Sequence, residues 1–114
     1  MSKANTTASK KAKGTRLEKE VARLMRKTID KYSRSMPLSG AIEWMKGDIY
    51  NTLGLNIECK NQEKVKLWEW WQIVREKRNP RLIISGNHRP ILVVIDINDW
   101  LELETYKKRN VKTG

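Results

Sequence analysis

Glu58 and Lys60 stand two residues apart near the end of a short apolar run, in the stretch LNIECKNQEK. Side chains at positions i and i+2 of a β-strand lie on one face of the sheet, so a strand here places both charges together. If that face is buried, the carboxylate and the ammonium lose their hydration and need a compensating partner or ion. The chemistry of this pair therefore depends on which other groups reach the same face.

Two further carboxylates are candidates for that place. Asp48 opens a predicted antiparallel hairpin whose second strand ends at Glu58 and Lys60, so the turn brings all three to the same end of the sheet. Glu18 can join them from a helix that precedes the hairpin. Carboxylates that lie so near to one another repel unless a cation lies among them. The sequence therefore predicts an acidic, cation-binding pocket.

Magnesium suits such a pocket, because it takes one or two carboxylates, keeps several waters and leaves positions for phosphate oxygens. Mn²⁺ is expected to substitute for it. Water bound to the metal is a better nucleophile, and Lys60 beside it can position that water or stabilise the charge on an attacked phosphate. We therefore expect Glu18, Asp48 and Glu58 to bind Mg²⁺ in a site that cleaves phosphodiester bonds.

The composition favours nucleic acid as the partner. The 114 residues carry a formal net charge of +11, which is typical of a chain that meets phosphates or an anionic membrane surface. No stretch approaches the roughly 18 apolar residues of a membrane span, and the N-terminus lacks the apolar core of a secretory signal. The single cysteine, Cys59, has no second cysteine for a disulfide or a zinc site. This usage predicts a reducing cytoplasm.

The pattern along the chain predicts one domain over residues 14–110, between a disordered basic arm at 1–13 and a flexible tail at 111–114. The arm carries no acidic residue, so it is either a solubilising tail or a source of salt-dependent affinity for phosphates. Under the second interpretation, the residues expected to contact DNA are Lys10, Lys11, Lys13 and Arg16.

The remaining segments predict helices and strands in the order α, β, β, α, β, β, α. The expected helices cover residues 15–32, 63–78 and 99–109, and the expected strands cover residues 48–52, 55–59, 81–85 and 90–96. The apolar β-branched run ILVVI in the last strand is typical of the centre of a sheet. This order predicts an α/β fold with a central mixed β-sheet flanked by helices.

The arrangement resembles the PD-(D/E)xK nuclease superfamily, in which an aspartate opens a hairpin and a Glu-x-Lys triplet closes it. Over residues 13–97 it is similar to the archaeal-type Holliday junction resolvases and their phage relatives. Their start resembles Lys13-Gly14-Thr15-Arg16-Leu17-Glu18, and their mobile loop resembles Pro37-Leu38-Ser39-Gly40. Their glutamine in the helix after the Glu-x-Lys strand corresponds to Gln72. One departure is Gly47, which stands where the family usually has a proline before the aspartate.

The resemblance implies an endonuclease-like α/β fold and a homodimer that makes paired, magnesium-dependent cuts across a four-way DNA junction. It assigns Glu18, Asp48 and Glu58 as acidic ligands or water-holders. It also assigns Lys60 as the catalytic lysine, Ser39 as a loop residue that reaches the cleaved DNA strand, and Gln72 as a water-orienting group.

Two alternatives remain open. The chain could be a non-catalytic, basic nucleic-acid-binding module that keeps its carboxylates as structural pairs. It could also be a different nuclease of the superfamily that acts on flaps or other branched DNA. The tryptophans either fill the core and a dimer interface or stack on exposed bases. They are Trp44, Trp68, Trp70, Trp71 and Trp100.

Overall fold

The computed structural model describes residues 7–36 and 47–111, with side chains described from residue 12 to residue 110. The helices are α1 (Thr7–Thr28), α2 (Leu67–Val74) and α3 (Ile97–Val111). The strands are β1 (Arg34–Ser35), β2 (Ile49–Tyr50), β3 (Asn56–Asn61), β4 (Pro80–Ser85) and β5 (Leu92–Val94). None of the described helices is long and apolar enough to cross a membrane.

A three-stranded mixed sheet forms the centre of the fold. Its strand order is β3-β4-β5, with β3 parallel to β4 and β4 antiparallel to β5. The strands β1 and β2 form a separate antiparallel pair. The predicted α/β class, a mixed sheet flanked by helices, is therefore confirmed.

The position of β5 differs from the prediction. The central strand of the sheet is β4, while β5 lies at the edge and leaves Leu92 51% and Val93 57% exposed. Only Val94 of this strand packs against a core cluster. A continuous apolar run predicts that both faces of a strand are covered, but it does not say whether the cover comes from the same chain.

The predicted hairpin around Leu53 is also different, because β2 and β3 form no ladder of backbone hydrogen bonds. The backbone N–H of Asp48 donates to the Ile57 carbonyl at 2.7 Å. The side chain of Asn51 closes the turn: its Oδ1 accepts from the N–H groups of Leu53 and Leu55, at 3.1 and 3.0 Å. Asparagine stabilises turns in this way, and here it takes the place of strand pairing.

Helix α1 begins at Thr7, eight residues before the predicted start at Thr15. The segment from Thr7 to Lys13 is rich in alanine and lysine, which are good helix formers. The helix thus includes residues 7–13, which the prediction assigns to the arm, and the division of the chain into a disordered arm, a domain and a tail stays a prediction. Arg26 and Lys27 occupy the last turn, where positive charge is favourable.

The carboxylate of Asp30 explains why α1 ends at Thr28 and not near Tyr32. It accepts hydrogen bonds from the N–H and hydroxyl of Thr52, at 2.7 and 2.8 Å, and from the hydroxyl of Ser33 at 3.0 Å. These bonds, led by the one from the Thr52 backbone, hold the pKa of Asp30 below its ordinary value. They also tie the end of α1 to the turn between β2 and β3.

Helix α2 is shorter than the predicted helix over residues 63–78. Glu63 does not begin it, because its carboxylate accepts a hydrogen bond from the N–H of Asn87 at 2.7 Å. Trp70 and Val74 are buried against Leu82 of β4, whereas Trp68 is 78% exposed. The tryptophans are thus divided between core and surface. Trp44 lies outside the described residues.

The two faces of the sheet carry separate core clusters. The cluster on the α1 face contains Leu17, Val21, Ala22, Met25, Ile49, Ile57, Cys59 and Ile83. The cluster on the α2 face contains Trp70, Val74 and Leu82. Because side chains alternate along β3, Cys59 belongs to the α1 face, while Glu58 and Lys60 belong to the other.

Candidate active site

Asp48 is held at the edge of β3 by its backbone and its side chain. It is only 7% exposed. Its backbone N–H donates to Ile57, its carbonyl accepts from the N–H of Met36 at 3.0 Å, and its Oδ2 accepts from the N–H of Cys59 at 2.8 Å. Several bonds from different segments therefore fix where this carboxylate lies.

Gly47 allows the backbone just before Asp48 to lie against β3. Its φ is +88°, and a Cβ built on it would lie 2.9 Å from the carbonyl oxygen and 3.0 Å from the nitrogen of Ile57. Proline holds φ near −65°, so the proline of the family pattern cannot adopt this backbone. The glycine that replaces the family's proline thus allows residue 47 to lie close to the backbone of β3.

Glu58 and Lys60 lie on one face of β3, as their spacing predicts, and their partners on β4 are Leu82 and Ile84. The Nζ atom of Lys77 lies 3.2 Å from Oε1 of Glu58. Burial, followed by the charge of Asp48, raises the pKa of Glu58 above its ordinary value, while the two lysines act in the opposite direction. Lys77 was missed by sequence reasoning, since it follows α2 in the chain and belongs to no recognised motif.

Glu18 is a partly buried residue of α1, the helix that packs against β3. Burial and then repulsion from Asp48 and Glu58 raise its pKa to about 7. Glu18 is therefore near enough to Asp48 and Glu58 for their charges to act on its carboxyl group. Their proximity is the electrostatic signature expected of a pocket that attracts a cation.

Glu18→Gln is expected to change how stability depends on pH in the absence of divalent ions. A carboxyl whose pKa is about 7 when folded and 4.5 when unfolded binds more protons in the folded protein between these values. Its contribution to stability is therefore full below about pH 4.5 and lost as the pH rises through 7. The unaltered protein should therefore lose on the order of 1–2 kcal/mol of unfolding free energy through Glu18 as the pH rises, after allowance for solvent screening. Glu18→Gln should not show this decrease.

Urea unfolding in EDTA at pH 5 and pH 8 measures the effect of Glu18→Gln. The matched control is Glu76→Gln, which removes an exposed carboxylate. If the two variants show the same pH dependence as the unaltered protein, Glu18 is not held in a repulsive, partly buried setting.

The oxygen donors of this site suit Mg²⁺ in their chemistry. Within residues 12–36 and 47–110, however, no group of three or more His, Cys, Asp and Glu side chains is arranged to hold a metal ion. Mg²⁺ requires only one or two carboxylates when waters complete its shell, and Asp48 with Glu58 can supply these. The ammonium of Lys77, which pairs with Oε1 of Glu58, would compete with such an ion for that carboxylate. The set of Glu18, Asp48 and Glu58 as ligands of one ion therefore stays a prediction.

Lys77→Met is expected to strengthen Mg²⁺ binding by roughly threefold to fivefold, because a partly exposed ion pair contributes up to about 1 kcal/mol. Isothermal titration calorimetry with MgCl₂ measures the change. Lys64→Met is the control, because Lys64 is exposed and has no described ion pair with a carboxylate. An unchanged affinity in Lys77→Met would show that the ammonium does not compete with the ion.

Part of the predicted DNA-binding surface lies beside β3. The Nδ2 atom of Asn61 donates to the carbonyl of Lys13 at 3.2 Å, which places this part of α1 next to the residue that follows Lys60. The Oδ1 atom of Asn61 is buried and has no hydrogen-bond partner among the described side chains and backbone. Sequence reasoning missed Asn61. Arg16 is exposed on α1.

Of the remaining predicted residues, only Gln72 has a described side chain, and no described contact joins it to the carboxylates. Gln72 is exposed on α2, whose buried side is formed by Trp70 and Val74. Ser39 lies outside the described residues, as do the side chains of Lys10 and Lys11. Their assigned roles therefore stay predictions.

Comparison with protein families indicates a nuclease. A family model described as "Phage putative PDDEXK endonuclease" matches residues 9–113, a range that contains Asp48, Glu58 and Lys60. Comparisons with curated proteins and with solved structures gave no match. Because the family match spans nearly the whole sequence, the chain belongs to the phage PDDEXK endonuclease family.

Proposed function

We propose that this member of the endonuclease family is a magnesium-dependent endodeoxyribonuclease that cuts four-way DNA junctions. It would act as a homodimer that makes paired cuts, in the cytoplasm of the infected cell. The observation that carries the proposal is the position of Asp48, whose Oδ2 accepts a hydrogen bond from the N–H of Cys59, the residue between Glu58 and Lys60, at 2.8 Å. Lys60, whose charge is felt by Glu58, supplies the amine of the Glu-x-Lys pattern.

Each residue of the site has a separate task in this proposal. Asp48 and Glu58 would hold Mg²⁺, with Glu18 as a further ligand or a holder of its water. A bound magnesium ion supplies a more nucleophilic water and offsets charge on the phosphate. The ammonium of Lys60 positions the water or stabilises the negative charge that develops on the attacked phosphate.

The two remaining residues act outside this group. Ser39 would contact the cleaved strand, and Gln72 would orient water. Both assignments come from the resemblance to the junction resolvases, and they are tested by substitution in the cutting assay described below.

DNA would be bound mainly through phosphate contacts. The net charge of +11 supplies a general attraction, and the first half of α1 carries the residues predicted to touch the backbone. These are Lys10, Lys11, Lys13 and Arg16. Because Lys13 contacts Asn61 through its carbonyl, the basic segment of α1 leads towards the end of β3 where Lys60 lies.

A cutting assay with three substrates tests the proposal. The purified protein is incubated with a labelled four-way junction, a linear duplex and a flap, each with Mg²⁺, with Mn²⁺ or with EDTA. We expect symmetric cuts in the junction with either metal and none in EDTA. Metal-dependent cutting of flaps but not of junctions would assign the chain to a different branch of the superfamily.

A second candidate is a non-catalytic nucleic-acid-binding module. It is favoured by one observation, namely that the described side chains do not present three metal ligands together. In that case Lys77 and Glu58 would be a permanent structural ion pair. Junction binding without cutting under Mg²⁺ and Mn²⁺ would support this alternative and overturn the first.

A further inference from the structure

Helix α3 projects apolar side chains that the rest of its own chain leaves uncovered. Every residue from 97 to 110 is exposed except Asp99, which is partly buried. The large apolar side chains that are at least 48% exposed are Ile97, Trp100, Leu101, Leu103 and Tyr106. An exposed apolar surface of this kind marks an interface more often than a surface that stays in water.

Few contacts attach α3 to the described part of the protein. An ion pair joins Nη1 of Arg81 to Oδ2 of Asp99 at 3.7 Å. Leu103 and Tyr106 line one side of a cavity of about 310 Å³ whose other side includes Leu55. No extensive packing joins α3 to another described helix or strand. Since an isolated helix of 15 residues is marginal in water, α3 needs a partner to cover it.

The charges of α3 indicate which partner that is. Its first half contains the acidic residues Asp99, Glu102 and Glu104, and its second half contains the basic residues Lys107, Lys108 and Arg109. An antiparallel copy of the same helix places acid opposite base at both ends, and it also places the two helix dipoles in opposite directions. DNA does not complement this surface, because its phosphates are repelled by the acidic half.

We propose that α3 is the surface through which a second copy of this chain docks, in an antiparallel, two-fold symmetric helix pair. This proposal deepens the proposed function, since it rests on the homodimer and names its interface. The exposed apolar side chains form the centre of the pair. The acidic half of each helix lies along the basic half of the other, so one surface serves both copies.

Charge reversal on α3 tests this arrangement directly. The variant Glu102→Lys/Glu104→Lys makes both halves of α3 basic, and Lys107→Glu/Lys108→Glu makes both halves acidic. Each variant alone should lose the dimer, so that light scattering after gel filtration gives the 13.4 kDa mass of one chain. An equimolar mixture of the two should regain the doubled mass, because the opposite halves again match. The fourfold variant that combines both reversals should also be a dimer.

Two further measurements separate this proposal from simple misfolding. The control Glu69→Lys/Glu76→Lys makes the same change in net charge as Glu102→Lys/Glu104→Lys, at exposed positions elsewhere, and should remain a dimer. Trp100→Glu, which places a charge in the apolar centre, should be a monomer with unchanged circular dichroism from the sheet.

The outcomes distinguish failure of the interface from failure of the proposed function. A wild-type dimer that none of the α3 variants weakens would overturn the α3 interface and leave the homodimer standing. A wild-type monomer that still makes metal-dependent cuts would overturn both the interface and the homodimer, but not the nuclease. A mixture of the two charge variants that stays monomeric would overturn the antiparallel pairing.

Discussion

Asp48→Asn is expected to abolish DNA cutting while junction binding is retained. The change removes the negative charge of a predicted metal ligand, and a metal contributes several kcal/mol to stabilising charge in phosphate cleavage. A loss of about 3 kcal/mol slows cutting by on the order of 100-fold or more. Asparagine keeps an oxygen that can accept the N–H of Cys59, so the bond now made by Oδ2 can persist. Cutting rates under single-turnover conditions and gel-shift affinities measure the two effects separately.

Asp96→Asn is the matched control for Asp48→Asn. Asp96 is exposed and accepts a hydrogen bond from the N–H of Asn98 at 2.8 Å, which asparagine can also accept. It should cut and bind as the unaltered protein does. Parallel loss of binding and cutting in Asp48→Asn would contradict the division between a catalytic pocket and a basic binding surface.

Gly47→Ala is expected to destabilise the fold and to displace Asp48. The added Cβ meets the backbone of Ile57 at 2.9 Å, and backbone atoms cannot move aside as the end of a flexible side chain can. The positive φ of +88° adds conformational strain. Together these effects should lower the free energy of unfolding by about 2–4 kcal/mol. Urea unfolding measures the loss, and the cutting rate should fall with it.

Gly14→Ala provides a control of opposite sign. Gly14 lies inside α1, and a Cβ there meets nothing within 4 Å. Alanine is the better helix former, so this variant should gain up to about 1 kcal/mol. If Gly47→Ala proves as stable as the unaltered protein, the close approach of residue 47 to β3 is not a real constraint.

The parts of the site that could be predicted from the sequence are those set by local geometry. Alternation along a strand places Glu58 and Lys60 together, and a short connection returns the chain near Asp48. Glu18 was predicted from its place in the helix before the hairpin and from the resemblance to the resolvases. In each case a few neighbouring residues determine where the side chain points.

The parts that could not be predicted depend on contacts between distant segments. Lys77 reaches Glu58 only because α2 ends before it, and no spacing in the sequence indicates that pair. The pairing of Asn61 with Lys13 joins residues 48 positions apart. Strand β1 has only two residues, which is too short for an apolar pattern.

The fold shows the same division between local and long-range causes. The residues of β4 and the existence of α2 follow from their apolar patterns, and both are observed. Whether ILVVI lies at the centre or the edge of a sheet depends on what covers it, which the run itself does not specify. The early start of α1 follows from the helix propensity of residues 7–13, whereas Gly14 is a weak helix former and favoured a later start.

The hydrogen bond from the backbone of Cys59 to Asp48 determines which substitutions position 59 can accept. Its thiol is buried in the α1 cluster, where burial raises its pKa above the ordinary value, while its backbone N–H holds Asp48. Every amino acid except proline supplies that N–H. Another small apolar residue in place of Cys59 should therefore leave Asp48 oriented, because the group that holds the aspartate belongs to the peptide chain and not to the side chain.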